Sequence, residues 1–406
     1  MYPVSTPSTL NAPVRRYDYL IVGAGLTGSV LAERLASQLG KRVLVIDRRG
    51  HLGGNVYDED DEHGVRVHRY GPHLFHTNSE TVVRYLSQFT AWHPYEHRVL
   101  GRIADHNGVE RLVPVPFNLT SLHTLYPKRQ AERLEARLLA TYGEGANVPI
   151  LKLRETADAA LHALAEFVYE RVFYGYTLKH WGRPPEALGA HVTARVPVRL
   201  SRDDRYFLDR HQALPRDGYT AMVARILAHP NIDLETSVAF DEARDTVRFD
   251  RLVYTGPIDA FFDEVYGPLP YRSLRFQFEH TPAGALVGEH GAGGFAQPTA
   301  QVNHPSLDVP FTRVTEFKHA TGQQVDGTTV AREFPEAYER GTNEPYYPVP
   351  AAAHRAQYAR YAAEAARLQT ITFAGRLADY KYYNMDQAVG RALAVFERDL
   401  ASTLPD

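Results

Sequence analysis

The chain has 406 residues with a formal net charge of −3, and 44% of its residues are hydrophobic. This composition is typical of a globular protein of two or three domains and gives no global basic surface for nucleic acid. The absence of cysteine excludes disulfides, thiolate metal ligands and cysteine nucleophiles. No apolar run reaches the roughly 18 residues of a membrane-spanning helix, so we expect a cytoplasmic protein without a membrane span. Residues 1–16, which contain Pro, Ser and Thr but no apolar segment, predict a disordered extension rather than a signal peptide.

A strand, a glycine-rich turn and a helix are predicted directly after Tyr17. The apolar residues 20–22 lead into the pattern GxGxxG, formed by Gly23, Gly25 and Gly28. A second apolar run ends in Asp47, about 20 residues beyond the glycines, as in the dinucleotide-binding fingerprint. The three glycines allow the tight turn, the approach of a pyrophosphate and the close packing of helix on strand. The pattern therefore predicts a dinucleotide site in which Asp47 accepts hydrogen bonds from a ribose.

The residues after Asp47 distinguish FAD from NAD. The sequence DRRGHLGGN has an acid, an arginine and a later glycine pair, and it resembles the signature of flavoproteins related to the amine oxidases. A glycine pair at that place lets the chain turn back beside the cofactor. We therefore predict FAD as the cofactor. Its predicted contacts in this segment are Gly23, Gly25, Leu26, Thr27, Gly28, Asp47, Arg48, Gly53, Gly54 and Asn55.

The remaining chain predicts helices first and strands later. Residues 122–164 are rich in Leu, Ala, Glu and Arg at helical spacing. Residues 182–205 contain several Pro, Gly and charged residues, which predicts a mobile loop that could close over a ligand. The segments 237–256 and 271–334 have strand-like runs, and the alternation in the second predicts an antiparallel sheet. Residues 371–375 predict another strand, and a helix follows Asn384.

These patterns predict an α/β protein, in which an FAD-binding Rossmann-like domain carries an inserted helical domain and an antiparallel β-sheet domain. The FAD-binding domain is expected to be discontinuous in sequence. Its predicted segments are 17–95, 212–268 and 350–402. The helical domain is predicted over 96–211, and the sheet domain over 269–349.

Several further segments resemble one family, the bacterial UDP-galactopyranose mutases. They read YGPHLFHT, YGYTLKHWG, RVPVR, DDRYF, EPYYP and GRLADYKYYNM, and with the glycine motifs they cover nearly the whole chain beyond the N-terminal extension. The resemblance implies interconversion of UDP-galactopyranose and UDP-galactofuranose. It also implies that reduced FAD supplies the nucleophile, N5, at the anomeric carbon without net redox change. An external reductant such as NAD(P)H and a homo-oligomer are compatible with it.

The resemblance also assigns roles to individual residues. Arg195 on the loop and Arg313 on the sheet are expected at the diphosphate, and His76 beside the flavin. Tyr176 is expected to stack on uracil. The other predicted substrate contacts are Phe173, Thr177, Trp181, Tyr206, Phe207, Arg272, Tyr347, Tyr382 and Asn384. The other predicted cofactor contacts are His73, Leu74, Gly256, Arg376, Tyr382, Asn384 and Met385.

Some alternatives remain open at this stage. The residues alone favour a solvated loop charge for Arg195 and a strand ion pair for Arg313, and only the resemblance implies the diphosphate contacts. His180, His97 and Asn384 stand where the family commonly has Gln, Asn and Asp, so the sequence leaves open the detailed contacts near the sugar and flavin. An FAD-dependent oxidoreductase of the amine-oxidase or desaturase type shares the glycine signature, as does a non-catalytic binding module. His73 and His76 have no HExxH motif and no third ligand at suitable spacing, so we predict no metal site.

Overall fold

The computed structural model describes residues 15–188, 196–288 and 293–401. Arg195 and the middle of the predicted loop lie outside the described residues. Within the described ranges, none of the helices combines the length and apolar character needed to cross a membrane.

A five-stranded parallel sheet is formed by segments that are far apart in the chain. Its strands, in spatial order, are Ile232–Thr236, Val43–Asp47, Arg16–Val22, Arg248–Tyr254 and Ile371–Phe373. All neighbouring strands pair in parallel. Against this sheet packs a helix bundle of Leu26–Leu39, Tyr219–Leu227 and Met385–Val395. Their apolar faces form one buried core with the sheet, because parallel strands need cover on both faces.

A seven-stranded sheet forms the second layer that matters for the site. Its strands, in spatial order, are Tyr347–Pro348, Tyr271–Thr281, Thr328–Ala337, Arg313–Glu316, Gln301–Asn303, Val99–Ala104 and Glu110–Val115. This sheet was predicted to be antiparallel throughout. That prediction is wrong for one pair of strands, Gln301–Asn303 and Val99–Ala104, which run parallel. Two strands of this sheet, Val99–Ala104 and Glu110–Val115, come from the segment predicted to be helical, so part of that segment belongs to the sheet.

The helical region between these strands has its own apolar core. Its helices are Leu119–Leu125, Lys128–Tyr142, Ile150–Arg154, Ala159–Val168, the π-helical turn Tyr169–Tyr174 and Gly175–Trp181. The side chains of Asn118 and Asp158 accept hydrogen bonds from backbone N–H groups at two of the helix starts. Such caps fix where a helix begins. The last of these helices, Gly175–Trp181, packs against the strand Thr328–Ala337 of the seven-stranded sheet.

Short elements complete the described fold. One short sheet contains the strands Phe75–Thr77, His211–Pro215 and Trp92–Pro94. A second contains Asp58–Asp60 and Arg66–His68, and a third contains Asn147–Val148 and Val198–Arg199. The remaining described helices are Glu80–Leu86, Phe240–Thr246, Ile258–Phe261, Lys318–Thr321, Ala352–Ala365 and the π-helical turn Phe396–Leu400. The described 3₁₀ turns are Gly54–Val56, Pro185–Ala187 and Ala283–Ala285. The strand predicted around residue 240 is wrong, because a helix begins there. The Glu242 carboxylate accepts a hydrogen bond from the N–H of Ala239 at its start.

Candidate active site

A cavity of about 760 Å³ lies between the seven-stranded sheet, the helix Gly175–Trp181 and the chain before the last long helix. That volume is typical of ligand sites in enzymes. Many residues predicted to contact substrate or cofactor line it together. They are His73, Leu74, His76, Tyr176, Trp181, Tyr206, Phe207, Arg313, Tyr347, Arg376, Tyr382, Asn384 and Met385.

Arg313 is held in this cavity by a buried carboxylate. The strands Arg313–Glu316 and Thr328–Ala337 pair with Arg313 directly opposite Glu333. Arg313 donates from Nε (2.8 Å) and Nη2 (2.5 Å) to the same oxygen of Glu333, whose side chain is 2% exposed. Burial alone disfavours the charged guanidinium, but the attraction of Glu333 outweighs it and raises the pKa of Arg313. The site therefore keeps a fixed positive charge.

Aromatic side chains form the walls around Arg313. The rings of Tyr347 and Tyr382 stack with centroids 4.9 Å apart, and Trp181 lies within 6.4 Å of both. Tyr176 stacks loosely on His180 at 6.0 Å. Burial raises the pKa of the Tyr176 and Tyr347 hydroxyls, so these hydroxyls stay protonated at neutral pH. Rigid, neutral phenols of this kind offer hydrogen-bond donors in fixed directions.

Among the described residues, four histidines line the cavity, namely His73, His76, His97 and His180. Burial lowers the pKa of His73, His97 and His180 to about 3 in each case. The positive charge of Arg313 acts in the same direction on all three. The ring of His76 donates a hydrogen bond from Nδ1 to the carboxylate of Asp209 at 2.8 Å. Among the described residues, no group of His, Asp and Glu has the arrangement of a metal site.

The helix that carries Tyr176 and Trp181 is fixed by two cations. The ammonium of Lys179 donates to four backbone carbonyls, those of His304, Ser306, Val309 and Phe311, at 2.6–3.1 Å. The guanidinium of Arg272 donates to the carbonyls of His180 (2.9 Å) and Lys179 (3.2 Å). Arg272 was predicted to contact substrate, but its guanidinium is bonded to the end of this helix and it does not line the cavity. A positive side chain there satisfies terminal helix carbonyls.

The glycine motif forms a separate cradle at the start of the helix Leu26–Leu39. No side chain caps this helix start at Gly25, so its first N–H groups are available to an anion. A Cβ added at Gly54 would lie 2.9 Å from the Cα of Gly25, so the two backbones meet closely. Asp47 accepts hydrogen bonds from the N–H groups of Ala24 and Arg49, both at 2.9 Å. This cradle fits a dinucleotide whose pyrophosphate approaches bare backbone.

Other predicted contacts lie elsewhere or serve the local structure. Phe173 is buried in the apolar core of the helical region. Neither Thr177 nor Gly256 lines the cavity. Arg48 forms an ion pair with Glu344, and the side-chain oxygen of Asn55 accepts a hydrogen bond from Arg49 at 3.0 Å.

The cavity also contains residues that the sequence did not assign to the site. They are Tyr70, Pro72, His97, Asn147, His180, Val196, Pro197, Arg199, Leu208, Asp209, Gln301, Tyr383 and Gln387. His97 and His180 were noticed only as departures from the family pattern. For His180, the signal in the sequence was its position beside Trp181, a predicted substrate contact in the same motif. No local signal marks Gln301, because it reaches the cavity only through sheet pairing.

The parallel sheet, the glycine cradle and the adjoining cavity define an enzyme of the Rossmann-like, dinucleotide-binding class. The sequence-family model of the NAD(P)-binding Rossmann-like domain matches residues 21–89. The sequence-family model of UDP-galactopyranose mutase matches residues 171–382. The chain belongs to the UDP-galactopyranose mutase family, a family of isomerases.

Individual proteins support this assignment. A probable UDP-galactopyranose mutase of Klebsiella pneumoniae is 36% identical over 390 residues, which cover 95% of each chain. A dTDP-fucopyranose mutase of Escherichia coli is 33% identical over 382 residues, 92% of this chain and 96% of the relative. The crystal structure of a reduced UDP-galactopyranose mutase has a TM-score of 0.70 at 18% identity, covering 95% of this chain and 94% of that one. At that identity the structure supports the fold alone.

Proposed function

We propose that this enzyme interconverts UDP-galactopyranose and UDP-galactofuranose, using reduced FAD without net redox change. The observation that carries the proposal is Arg313, a charged group with an 18% exposed side chain that Glu333 holds among phenol hydroxyls in a cavity of about 760 Å³. A nucleotide sugar has the matching chemistry, since its charged diphosphate lies between a planar base and a polar hexose. Arginine suits phosphate because its guanidinium can donate to two oxygens at once.

The charge of the cavity supports an anionic substrate. Of the described residues, Arg199, Arg313 and Arg376 line it as cations, and Asp209 as the one carboxylate. Glu333 neutralises part of this charge from behind Arg313. We assign Arg313, with Arg195, to the diphosphate, and the hydroxyls of Tyr206, Tyr347 and Tyr382 to the same group. We assign Tyr176 and Trp181 to the base and its neighbours, since flat rings stack on bases with little loss of entropy.

FAD fits the glycine cradle, and the residues that would hold its pyrophosphate and ribose are Gly25, Gly28 and Asp47. His73, Leu74, Asn384 and Met385 line the cavity and would hold the flavin ring there. When bound and reduced, the flavin supplies a nucleophile for the anomeric carbon. The protein's own part is to orient the sugar, to hold the leaving diphosphate with fixed charges and to exclude water.

A second substrate class follows from one observation, the 33% identity to a dTDP-fucopyranose mutase. The two nucleotide sugars share a diphosphate and a hexose that can close through two different hydroxyls. They differ in the base methyl, the ribose hydroxyl and the sugar C6 hydroxyl. The same cations and phenols would serve either substrate. Both substrates therefore belong in the decisive assay.

The test is turnover of UDP-galactofuranose and dTDP-fucofuranose by dithionite-reduced enzyme, followed by chromatography. We expect UDP-galactopyranose to form, with no stoichiometric consumption of reductant. Arg313→Ala should lose about 2–4 kcal/mol of transition-state stabilisation, as when one preorganised donor is removed. Arg313→Lys should recover only part, because an ammonium cannot make the two-pronged contact. Arg195→Ala should likewise lose activity, and Arg195→Lys should recover only part of it.

Arg275→Ala is a matched control, since Arg275 lies on the same sheet and pairs with Glu336 at an exposed position. It should keep wild-type activity. Wild-type turnover by both Arg313→Ala and Arg195→Ala would contradict the placement of the diphosphate. Conversion of the dTDP sugar alone would replace the UDP substrate with the second class. Oxidation of one reductant per sugar converted would contradict an isomerase.

A further inference from the structure

Among the four cavity histidines, His76 is the one whose ring bonds a carboxylate. It lies on the strand Phe75–Thr77, which pairs antiparallel with His211–Pro215 so that His76 faces Gln212. Three residues before Gln212, the Oδ2 atom of Asp209 accepts a hydrogen bond from His76 Nδ1 at 2.8 Å. A carboxylate accepts and cannot donate when ionised, so this contact places the ring proton on Nδ1.

Both partners are fixed in place by surrounding groups. The other oxygen of Asp209, Oδ1, accepts a hydrogen bond from the Asn78 amide at 2.8 Å. Gln212 donates from its side chain to the carbonyls of Phe207 (3.1 Å) and Asp209 (3.0 Å), which fixes the turn between them. The His76 ring stacks on Phe207 with centroids 3.6 Å apart and an interplanar angle of 12°. Neither the carboxylate nor the imidazole can rotate freely.

No cation competes with His76 for this carboxylate among the described residues. The adjacent Arg210 and His211 both turn to Glu80, each at 2.9 Å. Within the described ranges, no group forms a hydrogen bond with Nε2 of His76, and both His76 and Asp209 line the cavity. The second ring nitrogen is therefore available to a ligand in the cavity as an acceptor, or as a donor once it is protonated.

The reaction needs such a group. In a pyranose the ring closes through O5, and in a furanose it closes through O4. Ring contraction therefore breaks the C1–O5 bond, forms the C1–O4 bond, and moves one proton from O4 to O5. A histidine that takes the proton at Nε2 and returns it to the other oxygen balances this exchange without oxidant or reductant.

We propose that His76 carries this proton between O4 and O5 of the open sugar, and that Asp209 is the positioning residue that fixes its tautomer and stabilises its charged form. The inference rests on the proposed function. His73 bonds through Nδ1 to the carbonyl of Gly71 instead. A carbonyl is a neutral acceptor and stabilises a protonated ring less than a carboxylate does. The arrangement resembles, in logic, the aspartate that orients histidine in serine proteases.

The test separates cleavage of the anomeric bond from ring contraction. UDP-galactopyranose is labelled with ¹⁸O in the bridge between C1 and the β-phosphate, and scrambling of the label reports reversible cleavage of the C1–O bond. Asp209→Asn keeps the shape of the side chain but offers an N–H toward His76 or a weaker acceptor. In this variant we expect scrambling near the wild-type rate, unchanged KM, and interconversion slowed by roughly 10²–10⁴-fold, the range of general acid–base catalysis.

His76→Gln is the second variant, since it retains polar atoms but cannot carry a proton; it should show the same separation. Arg210→Ala removes a neighbouring charge with a 71% exposed side chain and should leave both rates unchanged. Wild-type interconversion in Asp209→Asn, or equal losses of scrambling and interconversion in both variants, would overturn the inference. Absence of both reactions in the wild-type enzyme would instead contradict the proposed function.

Discussion

Arg313 and Glu333 stand opposite each other on neighbouring strands, and both hydrogen bonds from the guanidinium go to a single carboxylate oxygen. The second oxygen of Glu333 accepts from the hydroxyl of Thr312 at 3.2 Å. Among the described residues, none accepts a hydrogen bond from Nη1 of Arg313. The carboxylate thus fixes the plane of the guanidinium from behind and leaves one nitrogen for the cavity.

Glu333→Gln should destabilise the protein, because it leaves the largely enclosed guanidinium of Arg313, whose side chain is 18% exposed, without its counterion. Removal of one partner of a buried ion pair costs about 3–5 kcal/mol, and we expect urea unfolding to report a loss near the lower end. Arg313→Met combined with Glu333→Gln should lose less than the sum of the single changes, because the two groups act as a unit. Additive losses would show that the two side chains stabilise the fold independently.

The residues around Arg313 favour a strand ion pair, and the family resemblance implies a diphosphate contact; the geometry is compatible with both at once. The alternation of residues around 313 and 333 predicts strands, but it does not define their register. A slip of two residues preserves the alternation and moves Glu333 away from Arg313. The sequence therefore predicts the two strands but not the register that places Arg313 opposite Glu333.

The glycine cradle was predictable because all of its signals lie within one continuous stretch. The strand Arg16–Val22, its glycines and Asp47 come together through local turns. In contrast, the strand Val99–Ala104 pairs with Gln301–Asn303, about 200 residues further along the chain. No local sequence pattern predicts a pairing at that separation. The same reason explains why Gln301 and Asp209 were missed as cavity residues.

Lys179→Met should loosen the helix that carries Tyr176 and Trp181. The ammonium bonds four carbonyls, and a hydrogen bond to a charged group contributes about 1.5–3 kcal/mol, so we expect a loss of that order in urea unfolding. Affinity for UDP, measured by quenching of tryptophan fluorescence, should fall as well. Lys128→Met, at an exposed lysine, is the control and should change neither quantity. Unchanged UDP affinity in Lys179→Met would show that the helix keeps its position without the ammonium.

His97→Asn should make the protein less sensitive to acid. His97 is 3% exposed, and burial lowers its pKa from 6.5 to about 3. Between these values the unfolded chain binds a proton that the folded protein does not, so stability falls as the pH drops through this window. The histidine contributes at most about 1.4 kcal/mol per pH unit to that slope. Urea unfolding at pH 7, 6, 5 and 4 should show a shallower decline for the variant, and an identical slope would contradict the assignment.

Gly25→Ala and Gly28→Ala should separate cofactor binding from folding. A Cβ at Gly25 would lie 3.8 Å from the Cα of Gly54, an ordinary contact, whereas a Cβ at Gly28 would lie 2.0 Å from the carbonyl oxygen of Gly23. The first change has room in the protein but occupies the path of a pyrophosphate. The second must push the helix away from the strand. We therefore expect the flavin-free form of Gly25→Ala to melt near the wild-type temperature and to bind little FAD. Gly28→Ala should melt earlier even without cofactor. Full flavin absorbance in purified Gly25→Ala would show that the pyrophosphate does not approach the backbone at this glycine.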